Sequence, residues 1–200
     1  MPKGKPNKNH PQCKKCGAYK KCRTPFIPGV RVGRLPIQVL FVGEAPGETE
    51  DKWGCPFVGK SGKTILRPEI DKIIDLSYII TNSVRCKPKK ENSKNKKPND
   101  DVIKCCNKFL IEEILEYRPK IIVTLGGTAW ESITGKKGKL ENICSKSQEE
   151  IEGRKYHGAI VLPTWHPAFV LRSRSTKPEI YKSFKKAFRI LRNLLRKNAS

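Results

Sequence analysis

Four short apolar runs, each ending in a turn and followed by a helix-like pattern, constrain this chain more than any other feature. They are Ile37-Gln38-Val39-Leu40-Phe41-Val42, Tyr78 to Thr81, Ile121-Ile122-Val123-Thr124-Leu125 and Ala159-Ile160-Val161-Leu162. A strand that is apolar along its whole length needs cover on both faces, which is the situation of a parallel sheet between helix layers. The intervening segments supply those helices. Ser61-Gly62 opens a helical stretch that Pro68 restarts before Ile70, Ile73 and Ile74. Asn99 or Asp100 caps a helix whose inward face is Ile103, Cys106, Leu110 and Ile114, and Pro119 ends it. Gly126-Gly127 turns into a short helix through Ala129 and Trp130, and residues 135–158 read as a polar excursion shaped as a hairpin. The last helix buries Phe184, Ala187, Phe188, Leu191, Leu194 and Leu195 and lines its other side with Lys and Arg.

This alternation predicts an α/β protein, a three-layer α/β/α sandwich around a central, mostly parallel four-stranded sheet. Two hundred residues suit one such core. The expected organisation is a flexible basic leader over 1–11 and a single domain over 12–200, monomeric, with no internal repeat. Open sheets of this kind bind ligands beyond the carboxyl ends of their strands. There the sequence delivers Gly43-Glu44, Asn82, Gly126-Gly127 and His166.

Charge points to the partner. Lys and Arg number 42 against 19 Asp and Glu, a formal net charge of +23. The excess gathers at residues 1–23, 85–97 and 172–197, a field that draws in nucleic acid. No run reaches the roughly 18 to 20 apolar residues of a membrane span, and no secretory apolar core opens the chain. A soluble, intracellular protein is expected, and its eight cysteines then ask for a metal or a cluster rather than disulfides.

Three separated segments carry chemistry. The first is Gly43-Glu44-Ala45-Pro46-Gly47 with Glu50-Asp51 and Gly54-Cys55-Pro56-Phe57-Val58-Gly59 behind it. The second is Thr81-Asn82-Ser83-Val84-Arg85-Cys86-Lys87-Pro88, and the third is Thr164-Trp165-His166-Pro167-Ala168. In this order they closely resemble the family 4 uracil-DNA glycosylases, from Cys13 to about Arg172. The resemblance implies hydrolysis of the N-glycosidic bond of uracil in DNA, single- or double-stranded, leaving an abasic site. The base must leave the stack to be reached.

By the same resemblance, Glu44 positions and activates the attacking water and faces the cationic sugar. His166 hydrogen-bonds the departing uracil oxygen, and Asp51 joins the catalytic set with Glu50 beside it shaping the pocket. Asn82 reads the base through an amide that offers both donor and acceptor, Phe57 stacks on the flipped ring, and Gly43 and Ala45 line the pocket. Ser61, Arg172 and Arg174 are the DNA-contact candidates, with Phe169, Val170 and Leu171 either entering the minor groove or packing beneath the last helix. Related enzymes that trap the abasic sugar use a histidine in a loop after the first motif. Here no histidine lies between His10 and His157, which favours hydrolytic release.

Cys13-x-x-Cys16, Cys86 and a cysteine at 105 or 106 resemble the family's four ligands to a 4Fe-4S cluster. The helix register favours Cys106, and Cys106-x-x-Phe109-Leu110 matches the family spelling. The spacing from Cys86 to Cys106 is longer than the family's by the basic loop Lys89 to Lys97. Zinc is the alternative metal for four thiolates. Cys22, Cys55 and Cys144 remain as small apolar residues. Two other functions stay open at this point: a glycosylase of the same fold acting on another modified or damaged base, and a non-catalytic, metal-stabilised DNA-binding protein.

Overall fold

In the computed structural model, residues 16–88 and 97–197 are described in full, and 90–91 and 94–95 as backbone. The expected leader, Cys13 and part of the basic loop lie outside the described residues.

The chain runs β1 (Val30–Val32), β2 (Val39–Gly43), α1 (Glu48–Trp53), a π-helical turn (Gly62–Leu66) continuing into α2 (Arg67–Ile70), then β3 (Tyr78–Asn82). A small ribbon, β4 (Lys90–Glu91) with β5 (Lys94–Asn95), precedes α3 (Asp100–Tyr117). There follow β6 (Ile121–Leu125), α4 (Gly127–Thr134), α5 (Leu140–Cys144), α6 (Gln148–Glu152), β7 (Lys155–Tyr156), β8 (Ala159–Thr164), α7 (Pro167–Ser173) and α8 (Pro178–Lys197).

The sheet has six strands in the order β1-β3-β2-β6-β8-β7. Its inner four are parallel and are the four apolar runs. The expected four-stranded sheet is therefore extended by two short antiparallel edges, β1 on β3 and β7 on β8. Both edges are too short and too polar to show a strand period, since β1 places Arg31 outward and β7 is only Lys155-Tyr156. Excursion 135–158 is also corrected: it carries two short helices, α5 and α6, of five residues each, Ser147 and Glu150 closing a capping box on α6. The hairpin is confined to its end, where His157 (φ 47°) and Gly158 (φ 84°) supply the two left-handed residues of a tight β7–β8 turn.

Each face of the sheet has its own core. On one, Phe41, Ile80, Val123 and Leu162 meet Phe184, Phe188 and Leu191 of α8. On the other, Leu40, Val42, Ile122 and Val161 meet Leu110 and Ile114 of α3 and Ala129 and Trp130 of α4. The expected cap and inward face of α3 are observed: Asn99 accepts from the Val102 N–H at 2.9 Å, and Ile103, Cys106, Leu110 and Ile114 are buried. Arg118, in the left-handed region at φ 42°, ends the helix one residue before Pro119. Between the layers runs fully buried Arg85, which pairs with Glu113 at 2.8 Å and donates to Thr81. Glu113 also accepts the Gly29 N–H, tying the segment before β1 to α3.

Candidate active site

Strand order decides what meets at the carboxyl edge. β2 lies between β3 and β6, so the loop leaving β2 is flanked by the exits of both neighbours. Gly43 and Asn82 are paired in register at the last step of β2 and β3. The two chains stay joined past the sheet, since Gly43 O accepts from Ser83 N–H at 2.8 Å and Glu44 O accepts from Val84 N–H at 2.9 Å. From the other side, the Thr128 hydroxyl at the start of α4 donates to Glu44 Oε2 at 2.6 Å. Glu44 is thus held by its backbone from β3 and by its carboxylate from α4.

These groups open on one cavity of about 1110 Å³, whose walls include Glu44, Glu50, Phe57, Asn82, Thr128 and His166. Gly43, expected in the wall, lies behind it, and glycine is needed there because a Cβ would lie 2.4 Å from Asn82 Oδ1 and 2.5 Å from Phe57 Cζ. Phe57 is itself constrained, with φ at 55° and its carbonyl 2.0 Å from where a Cβ on Gly62 would fall. Glu50 braces this loop: its Oε1 accepts the Gly59 N–H at 2.7 Å. A ring centroid separation of 6.0 Å brings Phe57 up to His166.

His166 caps α7, its Nδ1 accepting the Ala168 N–H at 3.1 Å. A nitrogen that accepts carries no proton, so the neutral ring carries it on Nε2. Protein packed round the ring, with the positive Arg172 second, pushes the imidazole pKa down to about 4. The histidine is therefore neutral and a donor at physiological pH. Trp165 next to it donates to Ser183 of α8 at 3.3 Å and stacks on Phe169 with centroids 5.3 Å apart.

Of the other expected site residues, Ala45, Ser61 and Arg172 line the cavity. Asp51 does not. One turn residue beyond Glu50 on α1, it points away from the cavity and is buried, accepting from Thr24 N–H at 2.9 Å and Arg23 N–H at 3.1 Å and pairing with Lys87 at 3.2 Å. With both oxygens so occupied, its place is to bind the 23–24 segment to α1. Arg174 stacks on Tyr181, its guanidinium carbon 4.7 Å from the ring centroid, and lies outside the cavity wall. Val170 is wholly buried in the α8 core and Leu171 packs against it, while Phe169, partly buried on the same core, and Arg172 both reach the cavity wall. The wall also includes residues that motif reading passed over: Thr128, and an ion-paired group in which Glu131 holds Lys97 at 3.6 Å and Lys137 at 3.3 Å. Nothing local marks Lys97 or Lys137 apart from other lysines, while Thr128 stood directly after the glycine pair.

A second cavity, of about 480 Å³, lies under the N-terminal segment, with Cys16 and Cys86 in its wall beside Val84 and Val102. Buried Cys106 packs with the same two valines. Cys86 Sγ accepts the Phe26 N–H at 3.3 Å. Cys22 lies alongside, its thiol lowered from the ordinary value chiefly by a hydrogen bond with Cys86. Among the described residues no three His, Cys, Asp or Glu side chains converge as a metal group. Burial pushes the Cys55 thiol up and the Cys144 thiol up to about 12, in keeping with small apolar residues.

Residues 30–192 match the model of the uracil DNA glycosylase superfamily. The chain belongs to that superfamily. It is 39% identical over 183 residues to the type-4 uracil-DNA glycosylase of Sulfurisphaera tokodaii, covering 87% of this chain and 78% of that one. It is 35% identical to the type-4 enzyme of Saccharolobus solfataricus, covering 88% and 80%, and 33% identical to that of Archaeoglobus fulgidus, covering 87% and 85%. The matched region of the superfamily contains both cavity loops and Asn82. Among the described residues no helix is long and apolar enough to cross a membrane.

Proposed function

We propose that this chain is a monofunctional uracil-DNA glycosylase that hydrolyses the N-glycosidic bond of uracil in DNA and leaves an abasic site. The observation that carries this reading is the meeting of Glu44, Phe57, Asn82 and His166 on one cavity at the carboxyl edge of the sheet. DNA binding alone would not require a carboxylate, an amide and a neutral imidazole donor around one pocket.

In this reading each group has a task. Phe57 offers its face to the flipped base, and the Asn82 amide, lying against Gly43, pairs with uracil O4 and N3–H where cytosine presents the opposite pattern. As the bond to the sugar lengthens, negative charge gathers on the uracil ring. The Nε2–H of His166 stabilises it without giving up its proton, a kind of preorganised donor worth roughly 3–4 kcal/mol. Glu44 directs water at the opposite pole, where the sugar acquires oxocarbenium character. Arg172 at the rim contacts phosphate.

Cys16, Cys86 and Cys106, with Cys13 as the fourth, would hold a 4Fe-4S cluster. Three observations support the fit: Cys16 and Cys86 share a cavity wall, Cys106 packs on two residues of that wall, and a backbone N–H is aimed at Cys86 Sγ as at a thiolate. The cluster would supply cross-linking of the N-terminal segment to the sheet. Of the other thiols, Cys22 is a neighbour of the set and not a member.

Incubation with a uracil-containing oligonucleotide, followed by alkaline cleavage, tests the reading. Wild-type protein is expected to release uracil but not thymine, and Asn82→Ala and His166→Ala to lose most of the rate while remaining folded. Unchanged rates in both variants would discard the assignment, and release of thymine or a modified cytosine would redirect it to another base.

A further inference from the structure

We infer that Thr128 is a positioning residue for the glycosylase reaction, acting through Glu44; this rests on the reading of Glu44 given above. The Thr128 hydroxyl approaches Glu44 Oε2 to 2.6 Å, a contact between residues 84 apart in the chain. Thr128 is 3% exposed although it forms part of the cavity wall, so its hydroxyl has little solvent to exchange with. Its backbone carbonyl accepts from Ser132 and its hydroxyl donates its single proton to Glu44. A β-branched side chain on a helix has few accessible χ1 rotamers, so the donor is fixed in place before substrate arrives.

The consequence concerns which oxygen does what. A glutamate has three side-chain torsions and would sample several orientations at the mouth of a cavity this large. The bond to Thr128 removes that freedom at Oε2, while Oε1 has no hydrogen-bond partner among the described residues and remains for water. The backbone of Glu44 is fixed from the opposite side by the Val84 N–H at 2.9 Å. With both ends held, the direction of Oε1 is set by the sheet order, which puts β3 on one side of β2 and β6, with α4 after it, on the other. Misplacement of a reacting group by about 1 Å can cost on the order of 100-fold in rate, so orientation by a neutral hydroxyl is enough to matter.

The test compares single-turnover uracil release by wild type, Thr128→Val, Thr128→Ser, Glu44→Ala and the double variant Glu44→Ala with Thr128→Val. Valine keeps the shape and removes the donor, while serine keeps the donor. Thr128→Val is expected to slow the chemical step about 10- to 100-fold with binding to a uracil-free duplex changed by less than about 2-fold, Thr128→Ser to recover most of the rate, and Thr128→Val to cost nothing further once Glu44 is alanine. Equal rates for wild type and Thr128→Val, equal losses for valine and serine, or losses that multiply in the double variant would overturn the inference. A Glu44→Ala variant as fast as wild type would instead bring down the reading of Glu44 itself, and Thr128 with it.

Discussion

Gly43 and Asn82 face each other at the last register step of adjacent parallel strands, so closely that a methyl group on Gly43 would lie 2.4 Å from the Asn82 amide oxygen. The glycine is there because the Asn82 amide and the Phe57 ring occupy the space a side chain would fill. Gly43→Ala is therefore expected to displace both and to lower uracil release by about 100-fold or more, with a melting temperature close to wild type because the loop can shift outward. Parallel melting curves and excision assays check this, and full activity in the variant would show that Asn82 does not need its present position.

His166 makes a prediction about pH. Its folded pKa of about 4 lies below the ordinary 6.5, so as pH falls from 6.5 towards 4 the unfolded chain takes up a proton that the folded ring refuses. Stability contributed by this site is therefore complete above about 6.5 and declines between 6.5 and 4, by an amount on the order of 1–3 kcal/mol. The donor form persists through the same window, so no loss of activity near pH 6.5 should trace to this ring. Ring-nitrogen chemical shifts titrated by NMR should show an inflection for His166 near 4, and Arg172→Met should move it upward; an inflection near 6.5 would remove the neutral-donor argument.

Glu50→Gln tests the brace on the Phe57 loop. The carboxylate accepts the Gly59 N–H at 2.7 Å, and an amide oxygen can keep that bond at reduced strength. Glutamine is expected to retain a good part of the activity and alanine to lose about 10-fold or more, mostly through the rate of base release. Equal, wild-type rates in both variants would mean the loop holds without it.

Asp51→Ala separates structure from catalysis. It strips the acceptor from two backbone N–H groups and leaves Lys87 with Glu48 at 3.3 Å in place of two carboxylates, which should cost about 2–3 kcal/mol of stability. Below the new melting temperature, uracil release per folded molecule is expected to fall by less than 10-fold. A loss as large as that of Glu44→Ala would return Asp51 to the catalytic group.

The cluster assignment is checked on anaerobically purified protein by iron and sulfide analysis with a visible spectrum. Iron and sulfide in equal amounts are expected, with Cys16→Ala and Cys86→Ala losing both and unfolding at lower temperature, while Cys22→Ala keeps them. One equivalent of zinc without sulfide would replace the cluster by the alternative metal.

Much of this was legible in the residues. The four inner strands, a cap at Asn99 or Asp100 and the buried face of α3 follow from local residue types, apolar runs and periodicity, because a continuous apolar strand has no other stable place than between two layers. The order of the three motif segments pointed to the superfamily that the model match then established. The edge strands were not legible, since two or three polar residues carry no period. Nor were the helices of 135–158, which are short and half exposed.

The chain by itself determined the alternation of strand and helix, the parallel inner sheet and the arrival of Glu44, Asn82 and His166 at its carboxyl edge, because each depends on patterns a few residues long. Only the tertiary structure decided which of two neighbouring acids faces the cavity, placing Glu50 on its wall and Asp51 on the N-terminal segment. It alone brought the Thr128 hydroxyl onto Glu44, across 84 residues. Such contacts are set by the order in which strands lie side by side, and no local run of sequence encodes that order.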